Sequence, residues 1–438
     1  MAERRARLLV RGGTVVDATG SRRADVAVVD GVVHQVADGL RPPAGATVLD
    51  AEGCLVAPGL VDLHTHLREP GHEEAETVES GSRAAALGGY TAVVAMPNTE
   101  PAVDSAAVAR QVLQLGRGAL CRVAVAGAIT VGRAGQRLAP LGELAALGIH
   151  LFTDDGAGVQ DAGVMRRALE YARGLGVTLA QHCEDAGLAA GGHMHEGACS
   201  SWLGVPGQPA AAEEVMVARD IALVRLTGAS MHFLHLSTAG SVALVAGARA
   251  EGLPVTAEVT PHHLSLTDDA LCGYDPVFKV NPPLRTAHDT AALARACAAG
   301  VIDAVATDHA PHPPEAKDVP LDQAPPGMLG LQTAWPVTLQ ALGAAGLDWL
   351  QVLALLSWQP ARIARLHPAA GGDQGGPVVP GAAANLCVLD PHATWTVEPA
   401  SLASRSRNTP FTGRSLTGAV RHTVHRGEPV VVGGQATR

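Results

Sequence analysis

Val61-Asp62-Leu63-His64-Thr65-His66-Leu67-Arg68-Glu69-Pro70-Gly71 is the stretch on which the fold turns. It follows the apolar run Cys54-Leu55-Val56-Ala57-Pro58-Gly59-Leu60 and reads as a buried strand, 55–63, that ends in two histidines, an arginine and a Pro-Gly stop. Side chains two apart in a strand share a face, which puts His64 and His66 together with Asp62 beneath them. A histidine in an apolar strand also fits a hydrogen-bonded core, and two imidazoles select no metal among zinc, copper, iron and nickel. At the C-terminal end of a parallel-barrel strand, however, the pair faces the rim where active sites are built.

Working outward, the chain alternates strand and helix. Strands are expected at 55–63, 91–96, 122–129, 149–153, 177–182, 231–236, 254–259 and 302–307, with Ala-rich amphipathic helices between most of them. Eight such units predict an α/β fold of the (β/α)8 TIM-like barrel type, although periodicity alone also allows an open sheet. The strand ends favour closure: His64, His66 and Arg68 follow the first, Pro97-Asn98-Thr99 the second, Asp154-Asp155-Gly156 the fourth, and Asp308-His309-Ala310-Pro311-His312 the eighth. His182 and His235 end the fifth and sixth. Only a closed barrel gathers all of these on one rim.

Short strands punctuated by Gly, Asp and Pro precede the barrel (Arg7 to Arg11, Gly13 to Asp17, Asp25 to Asp30, Val32 to Val36, Thr47 to Asp50) and return after it (Ala384 to Leu389, Trp395 to Val397, Ala419 to Val424, Pro429 to Val432). The expected arrangement is a small accessory β domain built from both chain ends, 1–53 and 366–438, around a catalytic barrel at 54–365. A length of 438 residues suits one large core and a second smaller one.

The net charge of −10 and the lack of any Lys/Arg-rich run argue against nucleic acid or an anionic membrane as partner. No apolar run reaches the length of a membrane span, and the N-terminal residues lack a signal-peptide core, so a cytoplasmic location is expected. Aromatic residues make up only 3%, leaving Val, Leu and Ala to fill the interior. Seven scattered cysteines without a Cys-x-x-Cys read as reduced, buried thiols, and Cys183, next to His182, as packing.

Four histidines and two aspartates exceed what one open tetrahedral zinc site uses, so they suit two ions. The expected sets are His64, His66 and Asp308 on one ion, His182 and His235 on the other, and one carboxylate bridging both. Such a pair acidifies water and polarises a carbonyl, which is hydrolytic chemistry. Asp308 is expected to carry the proton from water to the leaving group.

Asp-Leu-His-Thr-His at 62–66 resembles the signature of the amidohydrolase superfamily. Leu67-Arg68-Glu69-Pro70-Gly71, Ala95-Met96-Pro97-Asn98-Thr99, Phe152-Thr153-Asp154-Asp155-Gly156, Thr260-Pro261-His262-His263-Leu264, Val280-Asn281-Pro282-Pro283-Leu284-Arg285, Ala306-Thr307-Asp308-His309-Ala310-Pro311-His312 and Asn408-Thr409-Pro410-Phe411 resemble, more narrowly, dihydroorotases of the longer bacterial type. The resemblance implies reversible hydrolysis of the cyclic amide of (S)-dihydroorotate to N-carbamoyl-L-aspartate in pyrimidine biosynthesis; the imidazole and carboxylate ligands make Zn2+, one or two per chain, the expected metal. It implies that His66, Arg68, Asn98, Asn281, His312 and Gly327 contact the substrate, with Arg68 and Asn98 on its carboxylate. A guanidinium fork matches a carboxylate; the alternatives are a structural salt bridge from Arg68 to Glu69 or a neighbour, Asn98 as a turn residue, and Gly327 as an ordinary turn glycine.

Many superfamily members bridge their metals with a carboxylated lysine, but the only two lysines here, Lys279 and Lys317, lie far from the fourth strand. The resemblance selects Asp155 as the bridge, with Asp154 as the alternative, since alternation turns only one of them inward. The stretch from His312 to Gly327 has few structure signals and reads as a lid over the rim. A homodimer or a complex with aspartate carbamoyltransferase is what the resemblance implies for partners. Competing readings are an allantoinase or hydantoinase, which would not need the Arg68 and Asn98 pair, and a silent scaffold, which would have lost metal ligands that here are all present.

Overall fold

Eight short, mostly apolar segments alternate with helices, and the computed structural model, which describes residues 7–42 and 44–438, arranges them as a parallel barrel. The strands are Leu60–Thr65, Tyr90–Ala95, Arg122–Val125, Leu151–Thr153, Thr178–Gln181, Met231–Phe233, Val255–Val259 and Ala304–Val305. The first three pair in order, as do the last five. Single parallel bridges, Gly127 to Phe152 and Thr65 to His309, join the two runs at both seams and close the ring. The open sheet is thereby excluded.

Alternation sorts the side chains. Ala92, Val94, Ala180, Ala304 and Ala306 pack together inside with Val61 and Leu63, while Val93, Val123, Phe152, Leu179, Phe233, Ala257 and Val305 pack outward under the helices. Small alanines inside leave room for the polar groups that share the barrel axis. The helices are closed by local chemistry: Asp161 accepts from the Val164 amide to start Ala162–Leu175, and Gly176, at φ +66°, ends it.

Both chain ends build the accessory β portion. One sheet orders Val32–Ala37, Asp25–Val29, Arg7–Arg11 and Thr47–Asp50; the other orders Gln435–Ala436, Glu428–Val432, Ser415–His425, Leu386–Thr396, Leu55–Pro58, Thr14–Asp17 and Gly20–Arg23. Val10, Val26, Leu49, Val56, Val388 and Val424 fill the core between them. Gly20–Arg23 was not expected, because Gly-Ser-Arg-Arg carries no apolar alternation.

Three expectations need correction. The expected strand 55–63 is two strands: Leu55–Pro58 pairs with Leu386–Leu389 and with Thr14–Val15 in the accessory sheet, and the barrel begins only at Leu60. Gly59 is the crossing point, where a Cβ would stand 2.1 Å from Thr91 Oγ1. Second, Asp62 does not lie beneath the histidines. Asp62 pairs with Val93 and Thr65 with Ala95, so three residues on the first strand span what two span on the second. This bulge resets the alternation and re-aims His64 inward. Asp62 instead accepts from the Thr307 amide (2.8 Å), Thr307 Oγ1 (2.6 Å) and Thr65 Oγ1 (2.5 Å), bolting the first strand to the eighth, and burial pushes its carboxyl up to about 6. Third, Cys199 and Cys272 form a disulfide across 73 residues, which no spacing signalled. Cys54, Cys121, Cys183, Cys297 and Cys387 are free and buried, and Cys183 packs in the apolar layer. Among the described residues no helix is long and apolar enough to cross a membrane.

Candidate active site

The C-terminal ends of the strands converge on one buried cluster. His64 Nε2 lies 3.3 Å from Asp155 Oδ1 and 3.5 Å from Asp308 Oδ1; His66 Nε2 lies 3.0 Å from Asp308 Oδ1 and 3.5 Å from Asp155 Oδ2. On the other side, His182 Nδ1 and His235 Nε2 are 3.0 Å apart and stand 3.7 and 3.6 Å from Asp155 Oδ1. Asp155 therefore belongs to two ligand sets at once, with His64 and His66 and with His182 and His235, each set having its ligand atoms within 4.8 Å of one another. Asp154 faces the other way: it accepts from the Ile129 and Thr130 amides at 2.9 and 3.0 Å and from the Thr130 hydroxyl, fastening the loop after the third strand.

Charge in this cluster is unbalanced. Burial alone would push Asp155 and Asp308 up, yet the surrounding histidines, His64 foremost, hold both carboxyls below their ordinary range. Burial would push His64 down, yet Asp155 and Asp308 raise it well above the ordinary imidazole range. The cluster draws a positive charge to the space between the carboxylates, and His64 Nε2, fully buried, has no hydrogen-bond partner. A buried imidazole nitrogen that faces two carboxylates without a hydrogen-bond partner marks a place that a divalent cation fits.

Three site residues hold left-handed backbone angles: Arg68 at φ +61°, His235 at +31° and Asp308 at +44°. Non-glycine residues adopt such angles where the surroundings over-determine them, as at active sites.

Beside the cluster is a cavity of about 200 Å³ lined by His66, Arg68, Asn98, Asn281, His312 and Gly327 together with Asp155 and Asp308. All of the expected substrate contacts are thus brought together. Arg68 Nε donates to Pro311 O at 3.2 Å, and Glu69 instead accepts from the Val78 amide, so the expected alternative of an Arg68–Glu69 pair is not formed. Among the described residues Arg68 has no carboxylate within ion-pair distance. Asn98 Oδ1 accepts from His66 Nδ1 at 2.9 Å. Asn281 Nδ2 lies 3.4 Å from His182 Nε2, and its Oδ1 is buried without a partner. His312 Nε2 donates to Pro326 O at 2.9 Å, and burial with the nearby Arg68 lowers the ring to about 3, so it is neutral. Gly327, at φ +136°, leaves no room for a Cβ, which would meet Ala310 and His312 at 2.8 Å; its amide donates to Lys279 O. With that amide engaged, what this position offers the cavity is space.

The wall segment that carries Pro325, Pro326 and Gly327 is tied down by both lysines of the chain. Lys317 Nζ donates to Pro325 O (2.8 Å) and Pro276 O (3.1 Å), and Lys279 Nζ to Leu321 O (2.7 Å). Burial and Lys279 pull Lys317 down to about 7.

Sequence reasoning missed Glu258, Glu184 and Arg133. Glu258, inside the seventh strand, bonds His64 Nδ1 at 2.9 Å and His232 Nε2 at 3.0 Å; burial would raise it, but those imidazoles lower it to about 2. Glu184 stands 3.8 Å from His182 Nε2, and Arg133 donates to the Asp155 carbonyl at 2.5 Å. The alternation Thr256, Glu258 in a buried strand was the available signal for the first; Glu184, two residues beyond His182, offered only proximity.

Comparison with known proteins agrees with this geometry. A family profile described as Dihydro-orotase-like matches residues 53–241. The dihydroorotase of Pelotomaculum thermopropionicum is 49% identical over 428 residues, covering 97% of this chain and 98% of its own length. That of Mycobacterium tuberculosis is 52% identical, covering 93% and 94%. The chain belongs to the dihydroorotase family. Among solved structures, this dihydroorotase-family fold matches the L-hydantoinase (dihydropyrimidinase) of Arthrobacter aurescens with a TM-score of 0.88 at 25% identity, covering 98% of this chain and 97% of that one. The dihydropyrimidinase of Brevibacillus agri shares the fold at 24% identity with a TM-score of 0.85, covering 98% and 96%.

Proposed function

We propose that this chain interconverts (S)-dihydroorotate and N-carbamoyl-L-aspartate as a metal-dependent cyclic amidohydrolase of pyrimidine biosynthesis. The observation that carries the substrate choice is Arg68: a guanidinium mostly withdrawn from water, without a carboxylate partner among the described residues, on the wall of the cavity beside the His/Asp cluster. A buried unpaired charge is costly, and a substrate that brings a carboxylate relieves it. Neutral cyclic amides such as hydantoin or dihydropyrimidines do not.

The residues that would hold metal are His64, His66 and Asp308 on one side and His182 and His235 on the other, with Asp155 common to both sets; zinc would suit these imidazole and carboxylate donors. When bound, the metal supplies Lewis-acid polarisation of the ring carbonyl and a more acidic water. The remaining work falls to side chains. Arg68, with Nε fixed on Pro311, presents its terminal nitrogens to the substrate carboxylate, and Asn98 adds its amide N–H beside them. Neutral His312 donates through Nε2 to Pro326 and so offers Nδ1 as an acceptor for a ring N–H. Asp308 meets both histidines through Oδ1; Oδ2 takes the proton from water and delivers it to the departing ring nitrogen, and the reverse in cyclisation.

We place the barrel's start at Leu60 and the enzyme in the cytoplasm, acting on a small molecule and assembling as a homodimer or with aspartate carbamoyltransferase. The test is hydrolysis of (S)-dihydroorotate by purified protein, followed by ultraviolet absorbance with metal content measured on the same sample. Turnover of dihydroorotate well above that of dihydrouracil and hydantoin is expected; the opposite preference would remove the substrate assignment.

A further inference from the structure

At the axis of the barrel, directly behind the site, lies a chain of polar groups whose protons can be placed one by one. Thr256 Oγ1 is 2.8 Å from His232 Nδ1, His232 Nε2 is 3.0 Å from Glu258 Oε2, and Glu258 Oε1 is 2.9 Å from His64 Nδ1. His232, Glu258 and His64 are all fully buried. An ionised carboxylate only accepts hydrogen bonds, so both imidazole nitrogens that face it must carry hydrogen. His232 Nδ1 is then the acceptor, and the Thr256 hydroxyl donates its hydrogen bond to it. His64 likewise carries hydrogen on Nδ1, so in the neutral ring Nε2 is the bare nitrogen. That bare nitrogen is the atom aimed at Asp155 and Asp308.

Glu258 Oε1 also lies 3.4 Å from the backbone nitrogen of His235, at the residue whose φ is +31°. One carboxylate therefore reaches a residue of each metal-ligand set: the ring of His64 and the main chain of His235.

We propose that Glu258 is a positioning residue, which selects the His64 tautomer that can bind metal and anchors the backbone from which His235 projects, with His232 holding the second carboxylate oxygen in place. The inference rests on the metal site of the proposed function and deepens it. A carboxylate behind a ligating histidine both fixes the ring and raises the basicity of the ligating nitrogen. Glu258 acts through His64 and His235, at the side of these residues away from the substrate cavity, whose lining does not include it.

Two measurements test this. In wild-type protein labelled with 15N-histidine, stripped of metal and raised in pH until the His64 ring is neutral, that ring, identified by the signals lost in His64→Asn, is expected as the Nδ1–H tautomer; an Nε2–H ring would overturn the proposal. Zinc affinity by chelator competition is expected to weaken about 10- to 100-fold in Glu258→Gln, because the carboxamide presents a donor where one of the two imidazoles already donates. In His232→Gln, whose amide can still donate to Oε2, the loss is expected to stay within about threefold. Unchanged zinc affinity in Glu258→Gln, or an equal loss in both variants, would overturn the assignment. Wild-type protein that takes up no zinc would instead sink the metal reading itself, and the tautomer measurement would still decide the role of Glu258.

Discussion

His66 Nδ1 donates to Asn98 Oδ1 across 2.9 Å, coupling the end of the first barrel strand to the loop after the second. The same amide lines the substrate cavity, so one side chain orients an imidazole with its oxygen and meets the substrate with its nitrogen. Asn98→Asp keeps the acceptor for His66 and replaces the donor with a negatively charged oxygen. Metal content is expected to hold while KM for dihydroorotate rises about 10- to 100-fold, the equivalent of one hydrogen bond to a charged group. Loss of metal with unchanged KM would show that only the His66 contact matters.

Arg68 has Nε on Pro311 O and its remaining donors free for the cavity. Lysine cannot reproduce a planar fork, so Arg68→Lys is expected to raise KM for dihydroorotate about tenfold or more, and Arg68→Gln further, with little effect on any residual turnover of neutral dihydrouracil. Steady-state kinetics on both substrates check this; equal losses on both would mean that Arg68 holds the site together and does not read the carboxylate.

Much of this site was legible because ligands at the ends of parallel strands carry a positional signal. His64, His66, His182, His235 and Asp308 each close an apolar run, and the barrel brings run ends to one rim. What was not legible depends on contacts between distant residues. Strand alternation could say that only one of Asp154 and Asp155 turns inward, but not which; the answer lies in amides of Ile129 and Thr130 that capture Asp154. The bulge that turns Asp62 toward Thr307 shows only in the register against the second strand. Glu258 was hidden because a lone polar residue in a buried strand has no meaning until His64 and His232 are seen around it. The split at Gly59 was hidden by a continuous apolar run that serves two sheets in turn.

The adjacent carboxylates differ in what they hold, which separates their variants. Asp155→Asn is expected to lose bound metal and activity together, since Asp155 is shared by both ligand sets. Asp154→Asn is expected to keep its metal content and to lower unfolding stability by about 1–3 kcal/mol, because its oxygens accept from two amides and a hydroxyl that would be left incompletely satisfied. Metal analysis and urea denaturation on the pair decide it; the reverse pattern would move the bridge to Asp154.

Acid lability is expected from His263, in the loop after the seventh strand. Its ring is fully buried, Nε2 donates to Pro282 O at 3.0 Å and Nδ1 lies 2.8 Å from Thr260 Oγ1, so the neutral form is satisfied where it stands. Burial, reinforced by His235 and Arg285 and only partly offset by the Pro282 carbonyl, lowers it from the ordinary 6.5 to about 3. Between those values the unfolded chain binds a proton that the native chain refuses. Stability from this group is therefore whole above about pH 6.5 and is lost progressively as pH falls toward 3, with a slope of at most about 1.4 kcal/mol per pH unit. Urea unfolding of metal-stripped protein at several pH values across this window is expected to show that slope in the wild type and a slope smaller by up to one proton in His263→Gln. Parallel curves for the two proteins would mean that His263 takes up its proton equally in both states, and that the acid sensitivity of the fold lies elsewhere.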